Sequence, residues 1–339
     1  MTETDQVIMA RGLRKSFSVK GKHLDAVKGI DLEVAEGEIF GFLGPNGAGK
    51  TTTLRMLTTL LPIDDGTARV AGADVARQPK LVRSRIGYVS QQGGADDSAT
   101  GRENLLLQAR LYGLDRAEAG RRTDDVLSVL DLTEIADRRV KTYSGGQRRR
   151  LDVALGIVHG PDVLFLDEPS TGLDPQNRAH LWEHVQGLRL RGTTVFITTH
   201  YLEEADALCD RLMIMDHGQI VAEGTSRTLK QQVAGDSVLF RLKDTEHDAP
   251  RALALVGQTA SVNDAAIQGD ALRLYVDDGT KALPELLRLL DAEQIDVASV
   301  SLSEPTLDDV FLAKTGRSLR DAGPDGGPES MLQTEGEAA

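Results

Sequence analysis

The 339-residue chain carries 39 lysines and arginines against 52 aspartates and glutamates, a net charge of −13. That balance opposes a nucleic-acid-coating role, and a single cysteine, Cys209, excludes an internal disulfide or a cysteine-based zinc cluster. The length fits one large domain plus a smaller one; no run approaches the ~18 apolar residues of a membrane span, and residues 1–6 lack the basic and apolar regions of a secretory leader, so the chain is expected in the cytosol.

In chain order, alternating residues 7–10, 23–27 and 30–34 predict three short, half-exposed antiparallel strands. A buried strand at 38–43 enters Gly44-Pro45-Asn46-Gly47-Ala48-Gly49-Lys50-Thr51, a complete G-x-x-x-x-G-K-[ST] loop, and a helix begins at Thr52. Strands follow at 66–72 and 85–91. Helical spacing at 104–111 and 123–130 marks a helical insertion. Nearly continuous apolar runs at 163–166 and 193–198 are those of strands covered on both faces, and a helix at 176–191 supplies the crossover of a parallel sheet. A helix near 202–209, holding Cys209 as a packed thiol, precedes a hairpin at 211–222. Beyond residue 230 the order strand 237–242, helix 249–255, strand 258–262, strand 271–276, helix 283–290, strand 295–302 suggests a ferredoxin-like module. A last helix at 305–313 has Pro305 in its first turn and an apolar stripe of Leu307, Val310 and Phe311; residues 316–339 read as a disordered acidic tail.

The loop binds a nucleoside triphosphate: its glycines let backbone N–H groups turn onto phosphates, Lys50 adds charge, and the Thr51 hydroxyl suits Mg2+. The strand ending in Asp167-Glu168 adds two carboxylates. Alone these are equally a solvated strand end; beside a phosphate loop, Asp167 is a Mg2+ partner and Glu168 polarises an attacking water. Ser144-Gly145-Gly146-Gln147 opens another helix and makes a second anion-facing site. Of Arg148, Arg149 and Arg150, which span most of a helix circumference, at least one should face solvent.

Tyr143-Ser144-Gly145-Gly146-Gln147 resembles the signature of ATP-binding-cassette (ABC) ATPases, with Tyr143 in the usual leucine position, and six motifs in that family's order cover about residues 6–225. The resemblance implies an α/β P-loop NTPase cassette with a RecA-like core, an antiparallel β subdomain and a helical subdomain (about 92–160), ending near 225. A small α+β accessory domain at 226–315 and the tail follow. It implies that Phe17 stacks on adenine and that Gln91, in the glutamine loop Tyr88-Val89-Ser90-Gln91, reaches Mg2+ or the attacking water, Gln92 leaving that assignment open by one residue. Ser170-Thr171-Gly172-Leu173-Asp174 matches the loop coupling two sites, and His200 the switch histidine facing the γ-phosphate.

In that family the phosphate loop of one copy faces the signature of another, so the resemblance implies a head-to-tail homodimer with ATP and Mg2+ at both sites. The ending Thr306-Leu307-Asp308-Asp309-Val310-Phe311-Leu312 resembles the ATP-binding subunits of daunorubicin/doxorubicin-resistance-type exporters. That implies ATPase-driven efflux of a hydrophobic drug or antibiotic through a separate integral membrane permease, with the chain on the inner membrane face and no nucleic acid partner. Two readings stay open beside it: a soluble ABC ATPase acting on nucleic acid or ribosomes, and the ATPase subunit of an importer whose C-terminal domain senses metabolite.

Overall fold

The computed structural model describes residues 6–19, 22–232, 235–269, 271–303 and 305–318. They divide into two units, one reaching Ser226 and one running from Arg227 to Ser318. The tail expected to be disordered lies outside the described residues beyond Ser318.

The first unit opens on β1 (Gln6–Val19) and β2 (Lys22–Ala35), paired antiparallel. Two long strands stand where the alternation predicts three short ones. Register shifts at Ala10/Leu13 and Lys15/Ser16, with Gly12 at φ 59°, reset which face each side chain takes without ending the pairing. Next, β3 (Ile39–Leu43) leads into α1 (Lys50–Leu57), and β4 (Asp65–Val70) with β5 (Ala73–Asp74) returns beside β1 in the sheet order β2-β1-β4-β5. A short helix not evident in the sequence, α2 (Pro79–Arg85), delivers the chain to β6 (Ile86–Val89).

The helical part comprises α3 (Gly101–Leu111), α4 (Arg116–Val129) and α5 (Gly145–Ile157). α4 starts ahead of the apolar periodicity because the Asp115 carboxylate accepts from Glu118 N and fixes the first turn. Then come β7 (Val163–Asp167), α6 (Pro175–Leu190), β8 (Thr194–Thr199), α7 (Leu202–Leu208) and the hairpin β9 (Arg211–Asp216) and β10 (Gln219–Gly224).

The central sheet runs β10-β9-β3-β8-β7-β6, parallel except for β10. Its two faces sort the apolar runs by the period of two. Phe40, Phe42, Phe165 and Phe196 fill one face, where Phe196 meets the other three rings at centroid distances of 5.5, 5.7 and 5.4 Å. Ile39, Leu164, Leu166, Val195 and Ile197 fill the other, against the helical part. The carboxyl ends of β3, β7 and β8 thereby stand side by side, with Asp167 paired to Thr198, at the edge where parallel sheets bind ligands.

After α8 (Ser226–Gln231), the second unit is built from β11 (Asp236–Leu242), α9 (Thr245–Val256), β12 (Val262–Gln268), β13 (Ala271–Val276), α10 (Gly279–Ala292), β14 (Val297–Ser303) and α11 (Leu307–Thr315). The antiparallel order β12-β13-β11-β14 is the split βαβ arrangement of a ferredoxin-like module. Val238, Phe240, Leu272 and Leu274 pack with Ala252 and Leu286 of the two long helices in one core.

Three sequence expectations shift here. Both long helices begin ahead of the expected 249 and 283, because Asp244 and Asp278 cap them by accepting from His247 N and Lys281 N. Residues 258–261 lie in turns, Thr259 N donating to Val256 O and Val262 N to Thr259 O, so β12 starts later than the alternation marked. Pro305 stands outside α11, whose cap is Thr306, closed reciprocally by Asp309.

Candidate functional site

The phosphate loop is shaped by what surrounds it. A Cβ at Gly44 would run into the Met215 carbonyl oxygen and one at Gly49, at φ 106°, into that of Ala26, so only glycine fits either place. Pro45 and Ala48 are buried, Asn46 is exposed and Gly47 takes φ 77°. Lys50, 4% exposed, donates from Nζ to the carbonyls of Gly44 (2.8 Å) and Pro45 (3.0 Å). Beside it Thr52 is buried, while Thr51 Oγ1 donates to Asp167 Oδ1 at 3.1 Å.

Asp167 ends its strand almost wholly buried. Burial pushes its carboxyl above the ordinary value, against the hydrogen bonds from Thr198 (2.7 Å) and Thr51. Glu168 leaves the strand at φ 45°, a left-handed conformation costly for a residue that carries a Cβ, held by its N–H donating to the Thr198 carbonyl and hydroxyl, both at 3.1 Å.

That turn aims the Glu168 carboxylate at four other segments. Oε1 lies 3.4 Å from Lys50 Nζ; Oε2 lies 3.1 Å from His200 Nδ1 and accepts from Thr171 Oγ1 (3.3 Å) and Gln91 Nε2 (3.4 Å). Burial raises this carboxyl, but His200 and Lys50 outweigh burial and hold it below the usual glutamate value, so it stays ionised. Gln91, not Gln92, makes the contact.

Residues of the signature gather elsewhere. Ser144 and Gln147 cap α5 reciprocally, Gln147 N donating to Ser144 Oγ (3.3 Å) and Ser144 N to Gln147 Oε1 (2.9 Å). Gly145 is exposed; Gly146 is buried, and a Cβ there would strike the Asn177 side chain. Asn177 Nδ2 in turn donates to Asp174 Oδ2 (2.6 Å), and Asp174 caps α6. The structure therefore brings Gly44–Thr51, Gln91, Asp167, Glu168 and His200 together around one carboxylate, and Ser144–Gln147 and Asp174 together around Asn177. Phe17 stands apart from both, half-buried on β1 opposite Leu24, with Lys15 Nζ 5.6 Å from its ring centroid.

Sequence reasoning missed two residues. Thr198 fixes both acids, and its signal was a polar residue closing an otherwise apolar strand. Arg149 is 7% exposed and staples the site from behind, donating to the carbonyls of Pro169 (2.6 Å), Ser90 (2.7 Å) and Asp167 (3.2 Å). Nothing in the run Arg148-Arg149-Arg150 singles it out. Tyr143, the departure from the usual leucine, donates its hydroxyl to Ile135 O at 2.7 Å.

As donors for a metal, the Thr51 hydroxyl and Asp167 carboxylate are hard oxygens 3.1 Å apart, a pair that fits Mg2+, which takes one or two protein ligands and completes its shell with water and phosphate. Among the described residues no cluster of three or more His, Cys, Asp or Glu offers an all-protein cage.

Comparison with known proteins agrees with this geometry. Residues 27–171 match the ABC transporter family, and residues 224–315 the C-terminal domain of DrrA1-3-like ATP-binding proteins. The daunorubicin/doxorubicin resistance ATP-binding protein DrrA of Streptomyces peucetius is 44% identical over 94% of this chain and 96% of that protein. The linearmycin resistance ATP-binding protein LnrL of Bacillus subtilis is 36% identical over 93% of this chain and 100% of that protein. Among solved structures, a dimeric ATP-binding cassette bound to ADP and Pi superposes with a TM-score of 0.59 at 23% identity, over 64% of this chain and 98% of that one, a likeness of fold. The chain belongs to the ATP-binding subunits of ABC transporters, in the daunorubicin/doxorubicin-resistance branch, and is an ATPase.

Proposed function

We propose that this chain is the ATP-hydrolysing subunit of an exporter for a hydrophobic drug or antibiotic, working as a homodimer beside a separate integral membrane permease on the cytoplasmic face. The observation that carries the catalytic part is the convergence of Lys50, Gln91, Thr171 and His200 on the ionised Glu168.

The loop N–H groups and Lys50 hold the triphosphate, Lys50 exchanging its two carbonyl partners for phosphate oxygens. Glu168 accepts a hydrogen bond, then the proton, from the attacking water, while Gln91 and His200 fix which oxygen faces that water. Held by Thr51 and Asp167, Mg2+ supplies charge neutralisation for the outer phosphates. Ser144–Gln147 serves the ATP of the second copy, so a lone subunit binds nucleotide but hydrolyses it poorly. Dimer closure does mechanical work only through a difference in ATP affinity between open and closed states. Both relatives named above are resistance proteins, which supports export over import. They are named for different compounds, consistent with an ATPase that need not touch the cargo. No helix among the described residues is long and apolar enough to cross a membrane, so a permease supplies the path.

The test is affinity purification of the chain from membranes, with identification of the co-purifying membrane protein and drug accumulation in cells lacking the pair. Capture of a membrane protein with raised intracellular drug on deletion is expected. Capture of ribosomes or nucleic acid, or lowered uptake of a nutrient, would overturn the exporter reading.

A further inference from the structure

One face of α6 joins the two loops that border the site. Asp174, Arg178 and Trp182 recur every fourth residue and so line up along the helix. Asp174 caps it where the 170–174 loop ends. The Arg178 guanidinium lies 4.3 Å from the Tyr201 ring centroid, and that ring is 4.1 Å from the His200 ring. Trp182 Nε1 donates to Glu204 Oε1 at 3.0 Å.

Glu204 is 0% exposed, on α7 just beyond His200. The hydroxyls of Ser170 and Thr199 lie near its carboxyl without closing a hydrogen bond to it, and Ser170 Oγ and Glu204 Oε2 are both buried and unpartnered. Ser170 opens the loop whose Thr171 reaches Glu168, and Thr199 is the residue before His200. A buried carboxyl oxygen that makes no hydrogen bond stabilises no contact, so holding the fold is a poor account of it. Its position between the two loops is a better one.

We propose that Glu204 is a positioning residue that couples the 170–174 loop to His200 and Glu168, and that Trp182, the only tryptophan in the chain, reports the state of that coupling. The proposal rests on the ATPase-dimer reading above: the 170–174 loop is where a second copy's arrival is sensed, and Glu204 passes that event to the hydrolytic carboxylate. The side chain itself touches no nucleotide.

The full-length chain tests it through three readouts: Kd for ATP, kcat with its Hill coefficient in ATP, and Trp182 emission with and without ATP. Wild type should shift its emission on adding ATP. Glu204→Ala should lose that shift, drop kcat by about fivefold or more and bring the Hill coefficient towards one, with Kd changed less than about twofold. Glu204→Gln keeps an acceptor for the indole and should recover all three. Should Glu204→Ala fail to fold, Trp182→Phe removes the N–H donor together with the five-membered ring and should show the same split between kcat and Kd. The proposal is overturned if Glu204→Ala, or Trp182→Phe in its place, keeps wild-type kcat and Hill coefficient. It is equally overturned if Kd rises as kcat falls, without recovery in Glu204→Gln, the pattern of a merely structural residue. If instead the wild-type chain binds no ATP or hydrolyses it without cooperativity, the ATPase-dimer reading has failed first, and the coupling with it.

Discussion

Lys50 Nζ and Glu168 Oε1 face each other at 3.4 Å, both withdrawn from solvent, across the space a triphosphate would enter. Lys50 stabilises the charge of Glu168. Glu168→Gln is expected to keep ATP binding and ATP-driven dimerisation while single-turnover phosphate release falls by about 100-fold or more. Normal turnover would rule out Glu168 as the water-polarising group.

The same pair gives a stability prediction for the protein without nucleotide. Lys50→Ala leaves a buried carboxylate with less compensation, so it should destabilise more than Glu168→Gln, and the double variant should recover part of the loss. A double-mutant cycle by urea denaturation should return a coupling of about 0.5–3 kcal/mol. Strict additivity would mean that solvent, rather than Lys50, compensates Glu168.

Tyr143 tests whether the unusual signature residue is an adaptation of packing. A Cβ on Gly101 would collide with the Tyr143 hydroxyl, whose hydrogen bond goes to Ile135 O. Gly101→Ala should therefore destabilise the wild type but cost little alongside Tyr143→Leu. Tyr143→Leu alone should cost about 1 kcal/mol, with ATPase activity within about twofold of wild type if the ring serves packing alone.

Much of this site could be read from residue order. The phosphate loop is short and local, so its chemistry survives without coordinates, whereas the paired acids took their reading from that loop and His200 from the family resemblance. What sequence could not supply was the meeting point. Gln91, Thr171 and His200 are brought onto one oxygen of Glu168 by strand order and by a left-handed turn at Glu168. Neither leaves a local pattern. In the fold, long apolar strands were plain, whereas β1 and β2 were broken up because bulges scramble alternation, and the starts of α9 and α10 lie ahead of the expected 249 and 283 because their aspartate-capped first turns carry little apolar spacing.

Burial raises the Glu204 carboxyl above its ordinary value of 4.5. The folded state thus holds this proton more tightly than the unfolded chain. The stability it contributes is full below the ordinary value and is lost as pH rises through the folded value. Glu204→Gln has no proton to lose. Its stability relative to wild type should grow as pH rises above about 4.5, measured as the urea midpoint; a constant difference would show that folding does not raise this carboxyl.

In the second unit, Asp309 Oδ1 accepts from Tyr275 Oη (3.0 Å) and Arg273 Nη1 (3.1 Å), while Oδ2 accepts from Thr306 N (2.9 Å). One carboxylate ties α11 to β13 and closes its own first turn. Asp309→Ala should cost about 2 kcal/mol and open cleavage sites after residue 303 in limited proteolysis. Asp309→Asn, which keeps one acceptor, should cost less.

The Ser144 hydroxyl has a double valency. Within its own helix the oxygen is an acceptor, taken by Gln147 N. The cap makes no use of the hydroxyl hydrogen. Holding the oxygen fixes its place while the hydrogen still turns about the Cβ–Oγ bond, so under the proposed function a phosphate would meet a donor oxygen already in position. The entropy of placing it is spent once, when the helix forms, rather than at every round of nucleotide exchange.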